Sequence, residues 1–559
     1  GVTIGDAAKG LTSTSINGTG IAHPAGPQPD DSSCALCHKS NGTFPQADID
    51  LSHFPVTPPA AGNALMVTGG NANTNAAWIA SGASVGRLPV GAIAVTYDVK
   101  SVSRNASKQP VIVFKMLQNG SAVALNDFAT ATPNPATGDK EIWNNFMGSP
   151  SAYFVFSVPQ DGIAAPADFN ASVSGWLKKI WNGTATGTAA GTLIGPDSTG
   201  YYTVTLTGVT VPDNAVMLTG GLGYTYSVSS ALPLTQTNLA GYPVTTGTAV
   251  PTPTFKAGGL IVIAPNVQKV ATGYTGRRAI VEDARCNACH QELGTFTEDA
   301  FHAGQRNDGT TCAWCHTPNR TSSGWLADST AFVHAIHASA KRQNKFTWHA
   351  SSETEGFWDI TFPGILNDCE TCHLPNTYNF GATDSASAAG QVDGIDRRPY
   401  RTVATGKFTK TVGGTYTTYS GSTCATLGTS APQTATGAFS LSPWITADAS
   451  GTSGTNYGIG FSYNAGLTTA SSCKPDGTPT SNPAGGTLPA DPASLVNSPT
   501  VSVCSACHDS ADAISHFKIN GAAFYQPRST ALSGTNETCL VCHGTGRIAD
   551  IKVMHSKNR

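Results

Sequence analysis

Six times the chain repeats cysteine, two residues, cysteine, histidine: Cys34/Cys37/His38, Cys286/Cys289/His290, Cys312/Cys315/His316, Cys369/Cys372/His373, Cys504/Cys507/His508 and Cys539/Cys542/His543. Two thiols three residues apart on one turn reach the two vinyl groups of a porphyrin, and the next residue sets an imidazole under its iron. Structural zinc is the competing chemistry, but it needs four ligands per site and has no use for a histidine directly after every second cysteine. The pattern therefore predicts six covalently attached c-type haems. Of the 14 cysteines, Cys424 and Cys473 fall outside the motifs, and in an exported chain they are expected to form a disulfide.

A motif histidine fills one axial position of each iron, and what fills the other decides whether the iron only exchanges electrons or also binds substrate. Eight histidines lie outside the motifs: His23, His53, His302, His334, His337, His349, His516 and His555. Six of them, His53, His302, His334, His337, His516 and His555, are the candidate second ligands, chosen by their positions between and after motifs. His53 and His516 share the triplet Ser-His-Phe. His23 and His349 are the reserves, either as surface residues or as ligands reaching another molecule. The five methionines stand mostly in a stretch without motifs, so bis-histidine irons of low potential are expected.

The elements that must position these groups divide the 559 residues into several parts. Residues 1–60 read as a loop-rich segment around one motif. Residues 61–275 contain no cysteine or histidine and alternate apolar with polar residues, as at Ile93/Val95/Tyr97/Val99, Tyr202/Val204/Leu206 and Tyr224/Tyr226/Val228. Val111–Phe114 and Tyr153–Phe156 read as strands covered on both faces. This predicts an antiparallel β-sandwich or barrel domain. Residues 276–380 and 495–559 carry five motifs and five of the candidate ligands, predicting a haem-packed, loop-rich domain with short helices. Residues 381–494, rich in Thr, Ser and Gly, read as an insertion stapled by Cys424 and Cys473.

Only 12% of residues are charged and the formal net charge is −3, which gives nucleic-acid binding no support. Haem propionates make the loaded chain more acidic, so cationic redox partners and chelated or mineral iron are the expected acceptors. No apolar run is long enough to span a bilayer, and the first residues lack the features of an export signal, which is expected to have been removed.

The segments Arg277–His290, His302-x-Gly-x-Arg306, Cys312–Asn319, Val333-His-Ala-Ile-His337 and Asp368–His373, followed by Cys504–Ser510 and Cys539–Gly544, resemble the outer-surface multihaem cytochromes of metal-reducing bacteria, the OmcA/MtrC type. The resemblance implies a β-domain followed by five closely packed bis-histidine haems that carry electrons to extracellular acceptors. That family typically has two β-domains and two pentahaem modules, whereas this chain sets one extra motif before a single such unit. The extra haem can fold back onto its own cluster or meet the cluster of another copy, and the second arrangement, repeated head to tail, makes a conductive homopolymeric filament. The alternatives are a monomeric surface cytochrome acting as terminal metal reductase and a multihaem oxyanion reductase. The reductase usually shows an iron without a second ligand or a lysine in place of the motif histidine.

Overall fold

The computed structural model describes residues 93–135, 138–223, 234–239, 264–290, 308–378, 396–404 and 495–555 apart from isolated positions, with residue 91, residues 442–444 and short strands at 260–261, 407–409, 417–420, 423–426 and 453–455. The expected features at Cys34, Cys37, His38, His53, His23, His302, His349, Cys473 and Tyr224–Val228 lie outside the described residues. So does the side chain of Cys424, whose backbone lies in a strand.

Among the described residues, eight longer strands form the two main sheets of the β part: β1 (Val95–Arg104), β2 (Pro110–Gln118), β3 (Ser151–Ser157), β4 (Ala171–Trp176), β5 (Gly191–Ile194), β6 (Tyr202–Leu206), β7 (Met217–Gly223) and β8 (Val267–Val270). They pair antiparallel in two sheets, of order β1-β2-β6-β5 and β8-β7-β3-β4. Val95, Tyr97 and Val99 of β1, Ile112, Phe114 and Met116 of β2, and Phe154 and Phe156 of β3 share one core between the sheets, so the β part is a sandwich. A bulge between Val99 and Ser101 shifts the alternation by one residue and brings Val102 to the core face.

The two continuous apolar runs part company here. Within the run Val111–Phe114 of β2, Ile112 and Phe114 are fully buried while Val111 and Val113 are half-buried, because the outer face of that sheet is not fully covered. In β3 both faces are covered, as expected. Phe154 and Phe156 point into the sandwich, and Val155 packs outside it with Phe169, Met217 and Trp314. Trp314 lies between the two cysteines of the third motif and is 2% exposed, so a motif residue caps the outer face of the second sheet. Gly221 of β7 makes the approach possible: a Cβ there would stand 2.5 Å from the Trp314 ring.

The second part is made of short helices and turns, with α1 (Asp283–His290), α2 (Cys312–Cys315), α3 (Ser329–His337), α4 (Pro499–Cys504), α5 (Ala511–Ile519), α6 (Leu540–His543) and α7 (Ile551–Met554). Its apolar clusters are small, the largest joining Trp325, Phe332, Phe346 and Trp348 with Ala506. Polar contacts tie it to the sandwich. Gln160 and Asn319 exchange two side-chain hydrogen bonds of 3.0 and 2.8 Å, and Asp161 pairs with the buried Arg528. Asp168 meets Arg277, Arg278 and Arg401 at 3.1, 3.2 and 2.6 Å.

Arg401 also approaches Asp328 at 3.6 Å. Burial pushes the Asp328 carboxyl up to about 6 despite that neighbour. Its folded pKa thus lies above the unfolded value of about 3.9, so folding is most favoured with the proton on and loses stability as pH rises from about 4 to about 6. Asp328→Asn is expected to flatten that fall, measured as the urea midpoint at several pH values, and an unaltered pH profile would contradict this assignment.

Candidate functional site

The five motifs among the described residues fold as helical turns, which brings the first and fourth residues to one side and the fifth above the first. In four of them the histidine backbone N–H donates to the carbonyl of the first cysteine: His316 to Cys312 at 2.9 Å, His373 to Cys369 at 2.9 Å, His508 to Cys504 at 2.8 Å and His543 to Cys539 at 2.8 Å. In the second motif Cys286, Cys289 and His290 lie on α1, and the His290 side chain is outside the described residues.

Local caps fix these turns and the helices that carry the spare histidines. Asp308 accepts from the Thr310 N–H ahead of Cys312, Ser510 caps α5 through Ala513 N–H, and Asp550 caps α7 through Lys552 N–H. Proline opens α4, and the Glu537 carboxylate accepts from Thr500 and Val501 N–H at 3.0 and 2.9 Å. Because Glu537 stands two residues before Cys539, one carboxylate joins the fifth motif's helix to the sixth motif.

Burial pushes the thiols of Cys504 and Cys539 up to about 12 and those of Cys286, Cys369 and Cys507 up to about 11. Such protonated thiols are poor nucleophiles and poor zinc ligands until deprotonated. Nor do three or more His, Cys, Asp or Glu side chains converge into a metal cage among the described residues.

What converges is imidazoles, two at a time. The ring centroids of His334 and His373 are 5.7 Å apart, those of His508 and His555 6.0 Å, and those of His516 and His543 6.2 Å. Two rings bound across one metal, with metal–nitrogen bonds of about 2 Å and a further ~1 Å to each ring centre, stand about 6 Å apart. In each pair one member belongs to a motif and the other is a spare histidine. The spacing fits a group whose remaining in-plane ligands come from a macrocycle.

The second ring nitrogens agree. Nδ1 of His316, His334, His337, His543 and His555 lies 2.6 to 3.0 Å from the carbonyl of Ala327, Thr330, Val333, Ala549 or Ile551 respectively. A carbonyl only accepts, so Nδ1 carries the proton and Nε2 presents its lone pair, the tautomer a metal requires. Burial holds His373 down to about 3 and lowers His334 and His508 as well, so these rings are neutral. His316 packs on Phe332 and Trp348, with centroids at 4.4 and 6.4 Å, and His337 on Phe362 at 5.8 Å.

Sequence order does not disclose one feature: the last two motifs exchange partners. His516 follows the fifth motif but faces His543 of the sixth, and His555 follows the sixth but faces His508 of the fifth. Thr377, Asn520 and Glu537, which touch the rings or cap the turns, carried no sequence signal beyond their proximity to the motifs.

Residues 278–429 and 465–556 match the family described as outer membrane cytochrome MtrC/MtrF-like, domains II/IV. Among solved structures, the crystal structure of MtrC from Shewanella baltica OS185 is similar at 15% identity and a TM-score of 0.34, over 93% of this chain and 57% of that one. The chain thus spans little more than half the length of that protein. No curated protein matches it.

Proposed function

We infer that this chain, a cytochrome of the MtrC/MtrF type through residues 278–429 and 465–556, is a six-haem carrier of electrons at the outer cell surface. In this reading the six cysteine pairs, from Cys34/Cys37 to Cys539/Cys542, hold the haems as thioethers and the six motif histidines supply one axial ligand each. His334 closes the iron of His373, His555 that of His508 and His516 that of His543. His302 and His337 serve the irons of His290 and His316, and His53 that of His38. When bound, the haems supply one-electron exchange between ferric and ferrous iron. The protein's own contribution is to fill the sixth positions and keep the imidazoles neutral. A chain that closes its irons in this way carries electrons and does not turn over a substrate on them.

The observation that carries this reading is the trio of imidazole pairs about 6 Å apart, each joining a motif histidine to a spare one. Residues 61–275 then form the β-domain, 276–380 with 495–559 the five-haem module, 381–494 an insertion held by Cys424 and Cys473, and 1–60 a separate haem segment. Among the described residues, Ile519, Val541, Ile548 and Val553 near the other end of the chain are large apolar side chains left exposed. The extra motif at Cys34/Cys37/His38, set in sequence ahead of the β-domain, supports a head-to-tail filament in which the leading haem of one copy meets the cluster of the next.

The loaded protein is expected to contain six haems per chain by pyridine haemochrome assay and to bind no carbon monoxide after reduction with dithionite. One equivalent of bound carbon monoxide would instead indicate an open iron and a reductase. Electron micrographs showing only discrete particles would eliminate the filament while leaving the carrier reading intact.

A further inference from the structure

The three imidazole pairs differ in a property that ligation alone does not demand, the angle between their ring planes. His334 and His373 are 8° from parallel, whereas His508/His555 and His516/His543 cross at 68° and 84°. In low-spin ferric iron the unpaired electron occupies one of two d orbitals directed above and below the macrocycle, and each imidazole raises the orbital perpendicular to its own plane. Parallel rings raise the same orbital and their effects add; crossed rings raise one each and their effects cancel.

We propose that the chain builds two electronic classes of iron, parallel at His334/His373 and crossed at the last two motifs, and that hydrogen bonds to Nδ1 set the class. This rests on the ligand pairing inferred above. The His334 ring is held by the Thr330 carbonyl at 2.6 Å, one turn back on α3. The His373 Nδ1 meets the Thr377 hydroxyl oxygen at 3.5 Å. Thr377 is 6% exposed, and its hydroxyl proton has the carbonyls of Ile280 and Leu374 at 2.9 and 2.8 Å, so an oxygen lone pair is left for the imidazole N–H. Thr377 is therefore a positioning residue for His373. In the crossed pairs the Ile551 and Ala549 carbonyls accept from Nδ1 of His555 and His543 and so orient those two rings.

The test is electron paramagnetic resonance of the fully oxidised, haem-loaded protein and of His334→Met, His516→Met and His555→Met, each subtracted from the parent. The His334→Met difference is expected to be one iron's rhombic, three-line spectrum, and the other two differences one large-g line each. Thr377→Val, equal in size but without the acceptor, is expected to shift the rhombic g values and leave the large-g lines in place. One line type in all three differences, or a rhombic spectrum unmoved by Thr377→Val, overturns the two classes even where the pairing stands. A histidine variant that removes no low-spin signal overturns the pairing itself, and the inference with it.

Discussion

Replacing His516 with alanine should turn a protein that binds no carbon monoxide into one that binds one equivalent, at the iron of the sixth motif and not at that of the fifth. His516 is nearer in sequence to the fifth motif, eight residues beyond His508, yet its ring faces His543 at 6.2 Å. The location can be read by removing haems one at a time. The new carbon monoxide band should vanish when Cys539 and Cys542 are also replaced by alanine, and persist when Cys504 and Cys507 are replaced. His555→Ala should behave in the opposite way, because its ring faces His508. A band that followed sequence order would show that the partners are not exchanged.

The second large effect concerns the joint between the sandwich and the helical part. Asp168 is 3% exposed and accepts from three arginines, so Asp168→Ala leaves Arg277, Arg278 and Arg401 crowded together without their shared carboxylate. Breaking such a cluster by removing one partner costs about 3–5 kcal/mol, and this one holds Arg277 and Arg278, a few residues before the second motif, against the sandwich. Burial acts to raise the Asp168 pKa, but Arg278, Arg401 and Arg277 hold it well below the usual carboxylate range. With the folded value below the unfolded one, this contribution is complete above pH ~4 and is lost only as pH falls through the folded value. The expected drop in the urea midpoint of the loaded protein should therefore be nearly the same at pH 5 and pH 8. An unfolding free energy within about 0.5 kcal/mol of the parent would show that the cluster is solvated.

The motifs were legible because covalent haem attachment fixes residue type and spacing within five residues, and a single helical turn realises that spacing directly. The sandwich was legible where one face meets the core, as at Val95, Tyr97 and Val99, since period-two alternation is what a half-covered sheet demands. It was less so where the covering comes from elsewhere. Val111–Phe114 and Tyr153–Phe156 look alike in sequence, but only the second receives Trp314 on its outer face. Ligand pairing was not legible at all. It depends on how α5 and α7 cross the turns of the other motif, a long-range arrangement that Glu537 helps to fix by capping α4. The buried arginine cluster was equally silent, because a charged residue's sequence neighbours do not reveal which carboxylate it will meet.

An iron map of the haem-loaded protein, from anomalous X-ray scattering or cryo-electron microscopy, tests the central claim most directly. It should place an iron between the Nε2 atoms of His334 and His373, of His508 and His555, and of His516 and His543, with neighbouring macrocycles in near contact along the cluster. An iron with one imidazole and an exchangeable ligand, or His508 and His516 on the same iron, would contradict it.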